Sequence, residues 1–477
     1  MLHREMKRLV GKACLIACCI HGVGCARSQG ISEPVPVEIL TGHRTRIVWV
    51  RQVVGDGNDP FATGKNFVLM GMDTRDGRGE RPILDTVRNY RKPLFTEDGE
   101  RIVFTDLPGA QFFVVNWDGT DLRFLGEGLA MEVWRDSVSG IEWVYYLGSF
   151  GSSETRDGSP VMRIRLDQPD LKELVWDQTE VTPDNFQLSA DGTLAAGLFP
   201  WKQWSILNLK TKVLEPQGKG CWTSMAPDNS YLCWVFDGAH KNLLLKRADH
   251  TSMWKIAVNR APGTEGHEMY HPRWSNHARY IAITGPYRVM GRYNAITGGG
   301  QGMNVYVGRF RKDFREIEKW AQVTDHDDGD FFPDVWVSGS ADVSYIASSL
   351  ETNNQIAPAT SEFAPIQVIA RLVEVTNTPS LEAIKPYQAT LVEYVYDVVS
   401  VEDGICDDEQ IIVQHWGIRD GEYVDLRPEM GKTVLLRLEP VSSHPELQGE
   451  RVSSTVDDPT LQSYLNMDEK YLTRRRP

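Results

Sequence analysis

The sequence is poor in cysteine, in long apolar runs and in basic charge. Only three of its seven cysteines, Cys221, Cys233 and Cys406, lie beyond residue 26, so no disulfide framework is expected in the folded part. The apolar run at 13–20 is too short to span a bilayer as a helix. The formal net charge of −14 disfavours sequence-independent binding to nucleic acid, so we expect no nucleic-acid partner.

The first 26 residues have the pattern of an export signal. Basic residues within 7–12 precede the short apolar run, as is typical of such a segment. Gly22-Val23-Gly24-Cys25 resembles a bacterial lipobox, which would make Cys25 a lipidated N-terminus, and cleavage after Ala26 is the open alternative. We therefore predict an exported protein, either periplasmic or a lipoprotein of the outer membrane or cell surface. A lipid on Cys25 would be its membrane contact.

One sequence phrase recurs along most of the chain. A bulky apolar anchor is followed by a small polar residue, by Asp-Gly or a substitute turn, and by a second apolar run. Copies begin at the anchors Phe95, Trp134, Leu188, Met225, Trp274 and Val335. Asp-Gly between apolar runs is a hairpin signal. Recurrence every 40 to 60 residues or so indicates one four-stranded propeller blade per repeat.

The two ends of the repeat array complement each other. Strand-like runs at 46–50 and 67–70 lack a preceding anchor, whereas the last copy near Val335 lacks a full set of outer strands. We therefore predict an all-β fold whose main part is a six-bladed β-propeller over residues 41–350, closed by strands from both ends. Closure would remove exposed sheet edges. Seven blades are the alternative.

The remainder of the chain predicts a second, smaller unit. Residues 351–365 are rich in Thr, Asn, Ala, Ser and Pro, which is typical of a linker. Alternating apolar residues return over 366–456 and predict a small, OB-like β-barrel of four or five strands. Residues 457–477 are predicted to be a polar tail. About 110 residues after the linker are too few for an α/β-hydrolase domain, and the sequence has no Gly-x-Ser-x-Gly motif.

The repeated phrase resembles the Trp-Ser-Pro-Asp-Gly units of the TolB-like six-bladed propellers, which belong to the WD40-like group of PD40-type repeats. The resemblance covers roughly residues 44–350 and implies a propeller in a periplasmic protein. It implies little about function, because propellers serve both binding and many chemistries. TolB-like proteins carry their small domain before the propeller, whereas here the small domain follows it.

Residues 267–271, His-Glu-Met-Tyr-His, match the H-E-x-x-H pattern of zinc proteases. That chemistry needs a helix, which Pro272 and the strand expected at Trp274 exclude. In an extended chain the two histidines lie about 13 Å apart. In a propeller, this segment would lead into an innermost strand at the central channel. The residues predicted to bind a ligand there are His267, Glu268, His271 and Arg273.

A second stretch rich in acids and histidine, 325–330, leads into the next anchor and is predicted to lie beside the first. Oligogalacturonate lyases resemble this chain in their H-E-x-x strand starts, and they hold a divalent metal on histidines. The resemblance implies His267, His271 and His326 as metal ligands for Mn, Zn or Ca. The acidic run taken alone suits calcium. Solvated acids and structural histidines are the alternative.

The insertion at 285–304 is long and rich in glycine. Long loops on rigid scaffolds often carry ligand contacts, so Arg292 and Tyr293 are predicted to contact an acidic ligand. A hairpin tip without a role is the alternative. Trp201 and Trp204 are predicted to be exposed stacking surfaces.

The function predicted from these features is binding without catalysis. The sequence lacks a nucleophile motif, on a scaffold widely used for recognition. We therefore predict an envelope-associated propeller that binds a carbohydrate or another envelope protein. The alternative is a metal-assisted polysaccharide lyase, in which a cation on the histidines binds a uronate carboxylate and acidifies the neighbouring proton.

Overall fold

The computed structural model describes residues 35–53, 59, 61–148, 159–248, 253–287, 302–325, 327–339, 365–447, 449–456 and 461–468. The predicted leader, including Cys25, lies outside them. Regular structure in the described part is almost all β-strand. The exceptions are helix α1, Val37–Thr41, and the 3₁₀ turns Leu107–Gly109, Val441–Ser443 and Pro445–Leu447. In these ranges no helix is long and apolar enough to cross a membrane.

Most of the chain folds into successive antiparallel sheets. The five predicted hairpin phrases from Phe95 to Trp274 each join the first two strands of a sheet, because the turn folds one apolar run back on the next. The second run of the phrase at Val335 lies outside the described residues. The strands of the first three sheets are β1 (Thr45–Gln52), β2 (Phe67–Asp73), β3 (Arg81–Arg88), β4 (Arg91–Phe95), β5 (Arg101–Asp106), β6 (Gln111–Asn116), β7 (Arg123–Glu127), β8 (Leu129–Arg135), β9 (Glu142–Leu147), β10 (Val161–Arg165) and β11 (Gln168–Trp176).

The next three sheets follow the same plan, and one long strand belongs to two of them. Strand β15 pairs with β14 through its first half and with β16 through its second half. Their strands are β12 (Phe186–Leu188), β13 (Leu194–Leu198), β14 (Lys202–Asn208), β15 (Leu214–Met225), β16 (Leu232–Phe236), β17 (Asn242–Arg247), β18 (Met253–Ala257), β19 (Glu268–Trp274), β20 (Tyr280–Tyr287), β21 (Asn304–Phe310) and β22 (Ile317–Gln322). The strand that follows, β23 (Gly329–Val337), belongs to the first sheet.

The sheets close into a ring as predicted. Strand β23 pairs antiparallel with β1, with Val335 opposite Ile47, so the first sheet combines strands from both ends of the array. The innermost strands contact one another in the cyclic order β23, β4, β8, β12, β15 and β19. Six four-stranded sheets therefore surround one axis in the described residues, and the predicted propeller fold is confirmed. The upper face is defined here as the face at which these innermost strands begin.

Tryptophan rings lock neighbouring sheets together at the opposite, lower face. The indole N–H of Trp336 donates to the Glu97 carbonyl at 2.8 Å, and its ring lies against Gly99. The Trp134 ring covers Gly192 in the same way. Both glycines have positive φ, and a Cβ at either position would clash with the indole. The Asp-Gly turn therefore connects the two strands of its hairpin and also packs against a tryptophan ring of the neighbouring sheet.

The second unit is a closed five-stranded barrel. Its strands pair in the cyclic order β24, β25, β26, β30 and β28, with β26 and β30 parallel, and this supports the predicted OB-like barrel. Its strands are β24 (Ile366–Val375), β25 (Thr390–Asp403), β26 (Gln410–Arg419), β27 (Glu422–Tyr423), β28 (Thr433–Pro440), β29 (Arg451–Ser453) and β30 (Gln462–Asn466). The boundary predicted at residue 456 is too early, because β30 completes the barrel. Its polar, five-residue sequence gave no strand signal.

Candidate functional site

Backbone bulges turn four side chains into the central channel. Lys92, Trp222, His271 and Phe332 have φ between 49° and 53°, and each lies three residues before the anchor of its repeat. At each of these places the pairing of the innermost strand shifts register. A bulge re-aims the side chain that it carries. The same local distortion, repeated in four sheets, therefore delivers four side chains to one place on the axis.

Three of these side chains form an aromatic plug, defined as Trp222, His271 and Phe332. The His271 ring centroid lies 4.1 Å from that of Phe332 and 4.9 Å from that of Trp222. All three are buried. The His271 Nδ1 lies 2.9 Å from the hydroxyl of Thr284, which fixes the orientation of the imidazole. Strands β15, β19 and β23 therefore each contribute one ring to this cluster.

Buried and partly buried acids and arginines surround the plug. Arg91 pairs with Asp184, and Arg273 bridges Glu132 and Asp334 at 3.0 Å each. Burial raises the pKa of Glu132. Burial acts in the same direction on Asp184, but the charges of Arg91 and of a neighbouring lysine hold its pKa below the usual value. Ion pairs therefore neutralise these carboxylates inside the ring of sheets.

The neighbouring lysine is Lys92, which is buried. Its ammonium donates to the carbonyl of Pro183 at 3.0 Å. Burial, followed by the nearby charge of Arg273, lowers the pKa of Lys92 to about 7. The amine and ammonium forms are therefore both populated at neutral pH.

These groups line a cavity on the propeller axis. The space between them, including solvent at its mouth, is about 400 Å³. Its wall combines the aromatic plug with Lys92, Asp184, Arg273 and the polar residues Gln187, Thr223 and Ser224. A concave site of aromatic rings with a few fixed polar groups is the usual form of a small-ligand site.

The structure brings two of the predicted ligand-binding residues together. His271 and Arg273 both line the cavity. His267 lies before β19, and its backbone N–H donates to Thr264. Arg292, Tyr293 and His326 lie outside the described residues. Within the described ranges, no group of three His, Cys, Asp or Glu side chains has the geometry to hold a metal ion, and the predicted His267, His271 and His326 set stays a prediction.

Glu268, also predicted to bind ligand, lies in a buried cluster between propeller and barrel, called here the junction cluster: Cys221, His240, Glu268, Tyr387 and Arg451. Arg451 of the barrel pairs with the Glu268 carboxylate, which lies 3.3 Å from the His240 Nδ1. The His240 Nε2 lies 2.9 Å from the Cys221 sulfur. This order matches a thiol, imidazole and carboxylate relay. Its members are all buried, so we interpret the cluster as a lock between the two units.

Close backbone contacts surround the junction cluster. Gly238 of the propeller lies against the carbonyl of Glu450, and a Cβ there would overlap it. Val452 donates its N–H to the Gly238 carbonyl at 3.0 Å, and Lys202 pairs with the Glu450 side chain at 2.8 Å. The barrel is therefore attached to the upper face of the propeller by the segment that precedes and includes β29.

The two tryptophans predicted to be exposed are not available as stacking surfaces. Trp204 is only 1% exposed, which makes that prediction wrong, because the side chain packs in the core of its sheet. Trp201 is partly buried, and its ring centroid lies 5.0 Å from that of Tyr387 in the barrel. Trp201 and Lys202 therefore form part of the contact between the two units.

Comparisons with known proteins show resemblance at the level of the fold. No family model and no curated protein matches the chain. Among solved structures, TolB from Acinetobacter baumannii is 9% identical, with a TM-score of 0.43 over 63% of this chain and 69% of that one. A TolB-like protein from Agrobacterium tumefaciens is 11% identical, with a TM-score of 0.34 over 62% of this chain and 99% of that one.

A third solved structure is an oligogalacturonate lyase in complex with manganese. It is 14% identical, with a TM-score of 0.31 over 49% of this chain and 66% of that one. At these identities and scores the comparisons carry no functional argument. The assignment to the propeller fold rests on the pairing of the strands.

Proposed function

We propose that this chain is an exported protein of the cell envelope whose propeller binds a carbohydrate or protein partner at its upper face without converting it chemically. The observation that supports binding at this place is the cavity on the axis, where side chains from five of the six innermost strands meet. Rigid strands hold these groups, so little ordering would be needed when a ligand binds.

The chemistry of the cavity also favours binding over catalysis. Its arginines and acids are engaged with one another, and the orientation of His271 is fixed by Thr284. The thiol of Cys221 is sealed under the barrel, away from the cavity. The alternative of a metal-assisted lyase would need His267, His271 and His326 at one metal, and it stays a prediction because His326 lies outside the described residues.

Site-specific photocrosslinking in the source cell tests the proposed binding face. Benzoylphenylalanine would replace Gln178 or Asp325, which are exposed in the connections that lead into β12 and β23 at the upper face. Controls would carry it at Val138, exposed at the lower face, and at Leu171, exposed on the outer strand β11.

The proposal predicts covalent products with an envelope component at Gln178 and Asp325, and far fewer at Val138 and Leu171. Equal labelling at all four positions, or labelling confined to the two controls, would contradict binding at the upper face. Fractionation of the same cells reports whether the protein is exported. Recovery of the full chain in the cytoplasm would contradict the envelope location.

A further inference from the structure

Lys92 differs from the other cations of the channel in its lack of an acidic partner. Arg91 and Arg273 each pair with carboxylates, whereas Lys92 forms no ion pair within 4 Å among the described residues. Its bond to Pro183 uses one of the three N–H donors of an ammonium. A buried ammonium without further acceptors is costly, so a ligand that supplies them would gain affinity from this site.

The neighbouring acids cannot easily serve Lys92 instead. Arg91 holds Asp184, and Arg273 holds Glu132 and Asp334. Moving any of these acids toward Lys92 would leave a buried arginine with fewer partners, which is itself unfavourable. The ion pairs therefore leave the Lys92 ammonium without a carboxylate in contact at the cavity wall, although these three cations and three acids balance in total charge.

A second polar group on the wall supports an anionic ligand. The amide oxygen of Gln187 accepts the hydroxyl proton of Ser224, so the other end of the amide, its NH₂ group, is the side left to donate. Gln187 and Lys92 line the same cavity. An ammonium and an amide N–H₂ are suitable donors for the two oxygens of one carboxylate. A phosphate dianion would need more positive charge than this wall supplies.

We propose that Lys92 and Gln187 bind one carboxylate group of a ligand in the channel cavity, between the aromatic plug and the buried ion pairs. The proposal deepens the proposed function and rests on it for the role of this site. The carboxylate belongs either to a small free acid or to a group projecting from a macromolecule. Both sources present the same chemistry to Lys92.

Acetate is the probe that tests the site without knowledge of the natural ligand. Isothermal titration calorimetry of the mature chain with sodium acetate, at constant ionic strength set by sodium chloride, should give saturable binding of one acetate. Lys92→Met keeps a similar volume and removes the donors, so affinity should fall at least about tenfold, since a charge-assisted bond contributes about 1.5–3 kcal/mol.

Lys212→Met is the matched control. Lys212 also donates to a backbone carbonyl, that of Val175 at 2.9 Å, and burial also lowers its pKa, but it lies away from the cavity. Acetate should bind this variant as it binds the parent chain. Equal affinity in Lys92→Met and the parent chain, or no acetate binding beyond the chloride background, would overturn the proposal.

The pH dependence provides a test that needs no variant. Acetate requires the charged form of Lys92, so binding should take up a proton, and affinity should fall about tenfold per pH unit above the pKa near 7. An affinity that stays constant between pH 7 and 9 would contradict a role for Lys92.

A second ligand, a glutamate-rich peptide, separates the sources of the carboxylate. Tighter binding of a glutamate-rich peptide than of acetate, with the same loss in Lys92→Met, would assign the site to a macromolecular partner. Acetate binding without peptide binding would assign it to a small acid. If acetate binding fails while crosslinks still form at Gln178 and Asp325, the carboxylate proposal is overturned and the proposed function stands.

Discussion

At the scale of single residues, Lys92 should lower the stability of the fold that contains it. Because its pKa falls from 10.5 to about 7 on folding, its burial is least costly above pH 10.5, and the cost grows as pH falls toward 7. Lys92→Met should therefore increase the free energy of unfolding at pH 7 by roughly 1–4 kcal/mol. Denaturant unfolding of both proteins at pH 7 and pH 10 measures this.

The pH comparison distinguishes charge from packing. The stability gain of Lys92→Met should shrink as pH rises from 7 to 10, because the parent lysine then folds in its neutral form. A gain that is the same at both values would mean that the methionine acts through packing. Loss of stability at pH 7 would contradict the placement of a poorly matched charge in the channel.

Some channel residues could be predicted from the sequence because a motif in their own segment marks them, and others could not. His271 and Arg273 were predicted because an unusual motif marks them. Lys92 is marked by a different signal, a proline two residues before the anchor. Pro93, Pro272 and Pro333 all stand at this position, and each directly follows a residue that is turned into the channel. The junction cluster had no such signal, because Glu268 and Arg451 meet only when two separately folded units dock.

At the scale of elements, the hairpin turn gives a direct test of how sheets are held together. Gly99 and Gly77 both have φ near +70°, so an alanine at either position suffers the same backbone strain, about 1–2 kcal/mol. A Cβ at Gly99 would also clash with the ring of Trp336, whereas nothing lies within 4 Å of one at Gly77. Gly99→Ala should therefore cost about 1–3 kcal/mol more than Gly77→Ala.

Chemical denaturation of the two alanine variants measures the difference. Trp336→Phe removes the indole N–H that donates to Glu97 and part of the ring, so the extra cost of Gly99→Ala should become smaller in that background. Equal destabilisation by Gly99→Ala and Gly77→Ala would show that the contact between the two sheets contributes nothing to stability.

The propeller could be predicted from the sequence because each of its hairpins is specified by residues that are close together in the chain. An apolar anchor, a turn and a second apolar run specify a hairpin wherever they occur, and their repetition implies the ring. Shared strand β15 was not foreseen, since pairing of one strand in two sheets depends on which neighbours it meets. Strand β30 was missed because Gln462–Asn466 is short and follows a polar segment.

At the scale of the whole molecule, the junction cluster couples the two units to pH. His240 faces Cys221 on β15, Glu268 on β19 and Arg451 on β29, with Tyr387 beside Cys221. Burial lowers the pKa of His240, but Cys221 and Glu268 outweigh it and raise the pKa to about 9. Burial would raise the pKa of Glu268, but Arg451 and His240 lower it.

These two shifts give the contact between propeller and barrel a defined pH range. The contribution of His240 is complete below its ordinary pKa of 6.5 and is lost as pH rises through about 9. The contribution of Glu268 is present above its ordinary pKa of 4.5 and is lost as pH falls through the lower folded value. The cluster should therefore stabilise the chain most between pH 4.5 and 6.5.

The corresponding prediction is made in the Lys92→Met background, which removes the opposite pH dependence of Lys92: the free energy of unfolding should fall by roughly 1–3 kcal/mol between pH 6.5 and 9, and this fall should be reduced when His240→Gln is added. His277→Gln is the matched control, because burial lowers the pKa of His277 to about 4 and its charge does not change above pH 6.5. Urea unfolding at both pH values, followed by tryptophan fluorescence, measures the effect. An unchanged fall in His240→Gln, or an equal reduction in His277→Gln, would mean that the pH dependence arises outside the junction cluster.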